Sequence, residues 1–582
     1  MALPIVAVPR GSDRPASPGS PRPPRRVLPW ALGIGAAVQI VVRLWLARAR
    51  TAPAANPDET GYLVAARWLA GGPGGDMSGH TFYQGGYPLL LTPAYWLSHD
   101  PETVYTIVMV VNAVVGAALF PLGYMAARRL GLGRRAALPV SFAAALLPAT
   151  TFFGAFALAD AVLPALVLAW LLALDRFARA GRPADAVLAS AVASYAAAVH
   201  TRGAVVLLVH AAALLVLAAG FRRRRRGALA GGGAALAGYA AGAAVNAWLR
   251  AELYPGGARD LAGLLETRLT TVAGQAWALS GAAGQLWYLI ASTWGLAGVG
   301  LAAMAGTLAR RRTPPADRLM AAVLLAATCG IAYASSAALP DEHRVGNFAY
   351  GRYLSCLALV YALAGAATLL RSGPRTAIGA TAASFLALQG TGLWVTAYAG
   401  ERLRTHTFIA FDFPETTFLT GTRTALHLQE AALAATALLC ALAVLSRARR
   451  TPAAAAGLAV VNLAALTFAM GPSPERVRPA APLPGPAAGG VVADASVFWA
   501  VKVKLMYPVW WTRIGRIDVR DGRPPAPGVC TVVVPLPDGV PPEASWPAHP
   551  AGWRPHARRD WSVGWAAWHD PACPAARKRA AQ

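Results

Sequence analysis

Two adjacent carboxylates follow the first apolar run of the chain, in the stretch Ala55-Asn56-Pro57-Asp58-Glu59-Thr60-Gly61-Tyr62. The pattern predicts a helix that begins with Asn56 as N-cap, is closed by Glu59 in a capping box and ends at Gly71-Gly72. The alternative for both carboxylates is that negative charge is favoured in the first turn of a helix. Capping and chemistry explain Glu59 equally well, whereas capping explains Asp58 less fully, because Asn56 already supplies the cap. We expect Asp58 at the water boundary, where a carboxylate can act as a general base.

Two arginines, Arg202 and Arg352, stand at the starts of later apolar runs. Each would lie at a helix N-terminus, where the helix dipole disfavours a cation. A shared anion, bound also by backbone N–H groups, explains both positions. The alternative is that each side chain reaches the membrane interface or pairs with a loop carboxylate such as Asp341 or Glu342.

Three further side chains belong to the same candidate set. His343 and Arg344, in the loop before Arg352, are weaker candidates for binding the same anion. Asp160 begins another apolar run, where the helix dipole favours a negative charge, and it is also a reserve acidic group. No spacing of residues predicts a zinc site, a P-loop or a dinucleotide-binding motif.

The elements that must position these residues are membrane helices. The 582 residues are 56% hydrophobic and 14% charged, with a mean hydropathy of +0.44, so the chain is apolar and charge-poor for a soluble protein. Runs of about 20 apolar residues predict spans, and we place thirteen of them at residues 27–47, 104–126, 136–156, 158–175, 184–200, 203–221, 227–249, 286–308, 318–339, 351–370, 376–398, 428–446 and 453–471.

The basic residues behind the net charge of +26 are nearly all arginines, and many of them form short clusters in every second connection between these spans. That alternation is typical of cytoplasmic loops and argues against a nucleic-acid partner. It predicts a multi-pass protein of the cell membrane with a cytoplasmic N-terminus and, after an odd number of spans, an extracytoplasmic C-terminus. Residues 1–26 are predicted to be a disordered basic tail, and the run after them is predicted to be a retained anchor rather than a cleaved signal peptide.

The first outer loop, residues 48–103, contains the acidic pair and a second amphipathic stretch at 87–96. A Pro-rich linker, 472–489, follows the last span. Residues 490–582 combine a helical pattern near 493–506 with a strand pattern at 530–534. The sequence therefore predicts an all-α polytopic membrane protein of about 13 transmembrane helices with a small C-terminal extracytoplasmic α/β domain.

The C-terminal module is rich in tryptophan and holds two of the five cysteines. Its eight tryptophans either stack on sugars or fill the core and the membrane interface. Cys530 and Cys573 lie where oxidation is permitted, and they either form a disulfide or stay free. The other three cysteines fall within predicted spans and are predicted to be packing residues.

These motifs, in this order, resemble the GT-C superfamily of membrane glycosyltransferases that use polyprenyl-phosphate-linked sugars. The family pattern is an acidic motif in the first outer loop, often Asp-Glu after a Pro, flanked by helices that lie on the membrane surface. The motif at Asp58-Glu59 and the stretch near Tyr87 are similar to it. So are the Arg352-Tyr353 pair and the Thr201-Arg202 pair, each at the outer start of a span. The resemblance covers residues 27–470.

The resemblance implies an inverting transfer of a sugar at the outer membrane surface. In it, Asp58 would be the general base, with Glu59 and Tyr62 in the same motif. Arg202 and Arg352 would hold the lipid phosphate. Tyr353, His343, Arg344 and Asp160 complete the set of candidate substrate-binding residues. The expected partners are membrane lipids, a polyprenyl-phosphate-linked sugar donor and a glycan, lipid or protein acceptor. The resemblance implies no certain cofactor; some members of the superfamily use a divalent metal near the acidic motif, and its use here is left open.

The competing interpretation is a transporter or lipid flippase without transferase activity. Such proteins bury ionisable or helix-breaking residues near the middle of their spans. In this sequence the ionisable residues instead gather at the outer ends of spans, which favours chemistry at the membrane surface.

Overall fold

The computed structural model describes residues 27–448, 450–471, 483, 489–560 and 563–573. The predicted disordered tail, most of the predicted linker, Trp561 and the last residues of the chain lie outside the described residues. The helices are α1 Val27–Ala47, α2 Asp58–Leu69, α3 Gly86–Leu97, α4 Pro101–Ala117, α5 Leu119–Arg129, α6 Arg134–Ala144, α7 Pro148–Thr151, α8 Leu163–Ala180, α9 Pro183–Val199, α10 Thr201–Gly220, α11 Arg225–Leu253, α12 Leu261–Thr270, α13 Val272–Ala291, α14 Leu296–Ala309, α15 Pro315–Ala338, α16 Ser355–Arg371, α17 Pro374–Ala399, α18 Arg402–Thr405, α19 Pro414–Thr420, α20 Leu428–Arg447, α21 Thr451–Met470 and α22 Trp499–Met506. The strands are β1 Gly490–Asp494, β2 Gly515–Ile517, β3 Val529–Pro535, β4 Arg554–Asp560 and β5 Val563–His569.

The membrane part is a bundle of long apolar helices, as predicted, but not every one of the thirteen predicted spans is a single long apolar helix. Among the described residues, nine helices are long and apolar enough to cross a membrane, or eleven if each of two bent pairs is one span. The predicted spans 158–175 and 184–200 correspond to α8 and α9, which do not meet this measure. The helix α8 begins only at Leu163, and α9 is the shorter apolar helix Pro183–Val199.

The predicted span 286–308 is wrong as a continuous helix. The chain bends by 112° between α13 and α14. Trp294 and Gly295 take φ values of 56° and 80° at the bend, a region that favours glycine. The indole N–H of Trp294 donates to Asn462 Oδ1 at 2.7 Å, which fixes the turn inside the bundle.

The arginine-rich connections meet at one end of the bundle. Arg129 pairs with Asp175 at 3.3 Å, which joins the end of α5 to α8. Arg371, at the end of α16, donates to the carbonyl of Leu130 at 2.7 Å. The opposite end of the bundle carries Asp58 at the start of α2, Arg202 at the start of α10 and Arg352 just before α16. The structure therefore separates a basic end from an end that carries the candidate site.

The first long loop forms two short helices, α2 and α3, at the two predicted amphipathic stretches, and the structure shows that they pack on each other. The ring of Tyr62 on α2 contacts that of Tyr87 on α3 with a centroid distance of 5.3 Å. Most of α2 is buried, including Leu63 and Val64. Helix α2 is therefore held firmly by the bundle, with its first residue at the site.

The C-terminal module is a five-stranded sheet of order β2-β1-β3-β5-β4, parallel for β2-β1-β3 and antiparallel for β3-β5-β4. The predicted helix near 493–506 starts only at Trp499, because 490–494 form β1. Cys530 and Cys573 form a disulfide. Three tryptophans of the module are buried in its core: Trp546, Trp565 and Trp568.

The buried guanidinium of Arg67 joins the module to α2. Arg67 on α2 donates from Nη1 to the carbonyl of Met506 at 2.9 Å and to that of Val509 at 3.2 Å. Its Nε donates to the carbonyl of Pro73 at 2.8 Å. The Tyr507 hydroxyl donates to the carbonyl of Pro101 at 2.5 Å, which adds a second link between the module and the bundle.

Candidate functional site

Asp58 lies at the centre of the site. Its Oδ2 accepts a hydrogen bond from Arg352 Nη2 at 2.6 Å, and its Oδ1 accepts one from the Tyr83 hydroxyl at 2.9 Å. The Asp58 side chain is 28% exposed, against 9% for Arg352. Asp58 and Arg352 therefore converge as the sequence predicts, and the carboxylate is the more accessible of the two.

Asp160 bridges the two predicted arginines. Its Oδ1 accepts from Arg202 Nη2 at 2.7 Å, and its Oδ2 lies 3.4 Å from Arg352 Nε, with all three side chains buried. The anion that the two arginines share is therefore a carboxylate of the protein, and neither arginine pairs with Asp341 or Glu342. Burial opposes ionisation of Asp160, yet its pKa is lowered because both guanidinium groups stabilise the charged form.

Arg202 is fully engaged within the protein. Its Nη1 donates to the carbonyls of Arg352 and Tyr353 at 3.0 and 3.3 Å. Its Nε donates to Nδ1 of His200 at 3.2 Å. Burial and the charge of Arg202 lower the pKa of His200 well below its usual value, so the imidazole is neutral and can accept. Arg202 thus fixes the turn that carries Arg352.

Glu59 does not close the predicted capping box. Asn56 accepts from the Thr60 hydroxyl at 2.5 Å and caps no backbone N–H. The completely buried Glu59 side chain accepts from the backbone N–H groups of Ala54 and Ala55 through Oε2, each at 2.7 Å. Its Oε1 accepts from the Tyr105 hydroxyl at 2.5 Å and the N–H of Ala157 at 2.7 Å. Glu59 therefore joins the chain before Asp58 to the segment that leads to Asp160.

Tyr83 approaches Asp58 only because residue 61 is glycine. A Cβ on Gly61 would overlap the Tyr83 ring. Burial and the Asp58 charge raise the pKa of Tyr83 well above its usual value, so the phenol stays protonated and donates to Asp58. Gly61 of the acidic motif therefore leaves the space that the Tyr83 ring occupies.

We expect Gly61→Ala to destabilise the protein by about 1–3 kcal/mol, because the added methyl overpacks a buried contact. Thermal unfolding of the purified protein measures this. Gly33→Ala is the matched control, since nothing lies within 4 Å of a Cβ at Gly33 in α1, and alanine there favours the helix by up to about 1 kcal/mol. Equal unfolding temperatures for both variants would contradict the steric role.

Arg344 forms a second charged cluster with two carboxylates, across the site from Asp58. Arg344 Nη1 stands 3.6 Å from Oδ2 of Asp412, and its Nη2 stands 3.2 Å from Glu342. Asp412 is buried in the 3₁₀ turn Ala410–Asp412. Burial raises its pKa to about 6, although Arg344 and Arg352 act in the opposite direction. The carboxyl group of Asp412 is therefore close to its protonation midpoint in weakly acidic solution.

This pKa predicts a pH dependence of stability. Between about pH 4 and pH 6 the folded protein keeps the Asp412 proton and the unfolded chain loses it. The free energy of unfolding therefore falls as pH rises through this window, by about 3 kcal/mol from this group. We expect Asp412→Asn to remove that fall in thermal unfolding curves, while Glu266→Gln, at an exposed carboxylate, leaves it. An unchanged slope in Asp412→Asn would contradict the assignment.

The site opens into a cavity of about 1310 Å³. Asp58, Tyr62, Arg344, Arg352 and Tyr353 all line it, and so does Arg202. The other predicted site residues, Glu59, Asp160 and His343, are not among the lining residues. Glu59 and Asp160 lie behind the wall that they support, and His343 is exposed with its ring against that of His406.

The acidic residues do not fit a divalent metal. Both oxygens of Asp58 and both of Asp160 face arginine or phenol donors. Glu59 accepts four hydrogen bonds. A hard cation needs several oxygens free of positive neighbours, so we derive no step through a metal at these residues.

Sequence reasoning missed four residues of the site: Arg50, Tyr83, His200 and Asp412. Arg50 lines the cavity, and its guanidinium lies 3.8 Å from the centroid of the Phe156 ring. His200 directly precedes the Thr201-Arg202 pair in the sequence. Tyr83 and Asp412 carried no signal, because one phenol and one loop carboxylate look like any others in a sequence.

The bundle of apolar helices, with the two short helices α2 and α3 packed together in it, defines the class: this chain has the GT-C fold of membrane proteins. Among solved structures it is similar to ArnT from Cupriavidus metallidurans bound to undecaprenyl phosphate. Sequence identity is 15%, the TM-score is 0.54, and the match covers 93% of this chain and 98% of that one. The fold that the motifs imply is thereby confirmed.

Two other similar structures are more distant. The oligosaccharyltransferase from Archaeoglobus fulgidus has 12% identity and a TM-score of 0.44, over 87% of this chain and 69% of that one. The arabinosyltransferase EmbB from Mycobacterium smegmatis has 16% identity and a TM-score of 0.39, over 77% and 42%. No protein-family model and no curated protein matches the sequence.

Proposed function

We propose that the protein is an integral membrane glycosyltransferase. It moves a sugar from a polyprenyl-phosphate donor to an acceptor hydroxyl of a glycan, lipid or protein, with inversion at the anomeric carbon. The observation that carries this proposal is the accessible Asp58 carboxylate on the wall of a large cavity, 2.6 Å from Arg352. A base and an anion-binding cation side by side suit a displacement that takes up a proton and releases a phosphate.

In the proposed reaction, Asp58 takes the proton of the acceptor hydroxyl. The acceptor oxygen forms a bond to the anomeric carbon as the bond from that carbon to the phosphate oxygen breaks. The polyprenyl phosphate leaves with the electron pair of that bond, and Arg352 stabilises its charge. Asp58 and a donor phosphate would compete for Arg352, so donor binding would free the carboxylate while Tyr83 keeps it oriented.

The charge of the cavity wall supports a phosphate-bearing donor. Six arginines and three carboxylates line the cavity: Arg50, Arg202, Arg259, Arg344, Arg352 and Arg423 against Asp58, Glu342 and Asp412. Arg352 is the best placed of the arginines, because it lines the cavity and touches the accessible carboxylate of Asp58. Arg202 instead acts by holding Arg352. The undecaprenyl phosphate bound in ArnT is a ligand of this chemical class.

The arginine-rich end of the bundle supports the proposed orientation. Short arginine-rich loops favour the cytoplasmic side of a membrane. The cavity, at the opposite end, would then face outward, together with the C-terminal module. A donor anchored in the lipid would reach it from the membrane.

The test is a transfer assay with the purified protein in lipid vesicles. Hexosyl and pentosyl polyprenyl phosphates are supplied together with glycan, lipid and peptide acceptors. We expect labelled sugar on one class of acceptor and release of polyprenyl phosphate in equal amount. Movement of the intact donor across the bilayer without transfer would instead favour the transporter.

A further inference from the structure

Outside the cavity, three exposed or partly exposed side chains gather in a way that the proposed reaction does not use. Asp341, His343 and His406 bring one carboxylate oxygen and two ring nitrogens within 4.8 Å of one another. We propose that these three residues bind a zinc-type transition-metal cation. The proposal concerns binding alone and does not depend on the proposed glycosyl transfer.

Backbone pairing brings the two histidines together. The N–H of Thr407 donates to the carbonyl of His343 at 3.0 Å, and the N–H of Val345 donates to the carbonyl of Thr407 at 3.0 Å. These bonds hold the loop before Arg352 beside the chain that follows α18. His343 and His406 each flank this ladder, so their rings stand 5.5 Å apart between centroids.

The carboxylate is oriented by its own loop. Asp341 Oδ1 accepts from Asn347 Nδ2 at 2.8 Å and from the N–H of His343 at 3.1 Å. His343 has a φ of 51°, a conformation that non-glycine residues rarely adopt. Strained residues of this kind persist where the surrounding structure imposes them, often at ligand sites. Asp341 and His343 are thereby presented on the same side of the loop.

Two imidazoles and one carboxylate form a ligand set for zinc and similar cations, with a fourth position open. Magnesium and calcium prefer sets made of oxygens. Two ligands of a tetrahedral zinc lie about 3.4 Å apart, so the ligand atoms need to draw together by about 1.4 Å at most. Rotation of the exposed Asp341 and His343 side chains supplies such a movement.

Binding there would fasten the loop next to the cavity. His343 immediately precedes Arg344, which reaches into the cavity wall and faces Asp412. A cation that joins Asp341 and His343 to His406 would cross-link the loop that carries Arg344 to the segment that follows α18. The proposed cation therefore has a structural role beside the site and takes no part in bond breaking.

The experiment measures metal binding by the full chain, purified with a tag that contains no histidine. After equilibration with zinc chloride, elemental analysis is expected to give about one zinc per chain, and cobalt chloride to give visible absorption bands that zinc removes. His343→Ala and His406→Ala are expected to weaken zinc binding at least tenfold. Magnesium chloride is expected to leave the cobalt bands unchanged.

His556→Ala is the matched control, because His556 is an exposed histidine on β4 of the C-terminal module. It should bind zinc as the unaltered protein does. The proposal is overturned if the unaltered protein binds no zinc, or if His343→Ala and His406→Ala bind it as tightly as the control. The cobalt spectrum of the unaltered protein keeps the test decisive if a variant fails to fold.

Discussion

Asp58→Asn is expected to lower the rate of sugar transfer by about 10²–10⁴-fold while the protein stays folded. The amide cannot take a proton from the acceptor, but its oxygen can still accept from Tyr83 or Arg352. The loss should therefore appear in kcat, with little change in donor binding. Initial rates with the donor found active in vesicles measure it.

Asp76→Asn is the control for this substitution. Asp76 is an exposed carboxylate in the same loop and is not among the cavity-lining residues. Its variant should transfer sugar at the rate of the unaltered protein, with the same unfolding temperature. Full transfer by a folded Asp58→Asn variant would rule out Asp58 as the base.

Arg352→Ala is expected to lower kcat/KM by about 30- to 5000-fold, because loss of a buried, hydrogen-bonded charge costs about 2–5 kcal/mol. In this variant, Asp58 would lose its ion pair, and the donor phosphate would lose the cation proposed to bind it. Arg352→Lys keeps the charge but loses the planar guanidinium fork, so it should recover only part of the loss. Titration with polyprenyl phosphate shows whether donor binding weakens in parallel.

Arg404→Ala is the control for the Arg352 variants, since Arg404 is exposed and pairs only locally with Glu401. It should bind donor as before. Unaltered polyprenyl-phosphate affinity in folded Arg352→Ala would remove Arg352 from the proposed phosphate site. A loss of folding in Arg352→Ala is checked by the Arg352→Lys variant, which keeps a cation beside Asp160.

The meeting of Arg202 and Arg352 could be predicted because each is a cation placed where local structure alone gives it little reason to be. Asp58 was predicted from the acidic motif, although the first turn of α2 also favours its negative charge. Cations at helix starts oppose the dipole, so the sequence indicates that tertiary structure stabilises them. What stabilises them was not predictable: Asp160, a helix-start carboxylate with an adequate local explanation, is the anion between them. For the same reason, the four hydrogen bonds of the buried Glu59 side chain were not predictable.

The helical bundle could be predicted from apolar runs, because length and hydropathy are local properties. The sharp bend after α13 could not, since residues 286–308 are apolar on both sides of the turn. Trp294 takes part in the bend through its bond to Asn462, a partner 168 residues away. The pairing that places His343 beside His406, away from the cavity, likewise depends on contacts distant in sequence.

Arg67 has a consequence for the stability of α2. Its guanidinium is buried between α2 and the module and takes its acceptors from both. A chain without residues 489–573 would leave this buried cation without the carbonyls of Met506 and Val509, at a large desolvation cost. We therefore expect α2, the helix that begins with Asp58, to be less stable in a chain that lacks the C-terminal module.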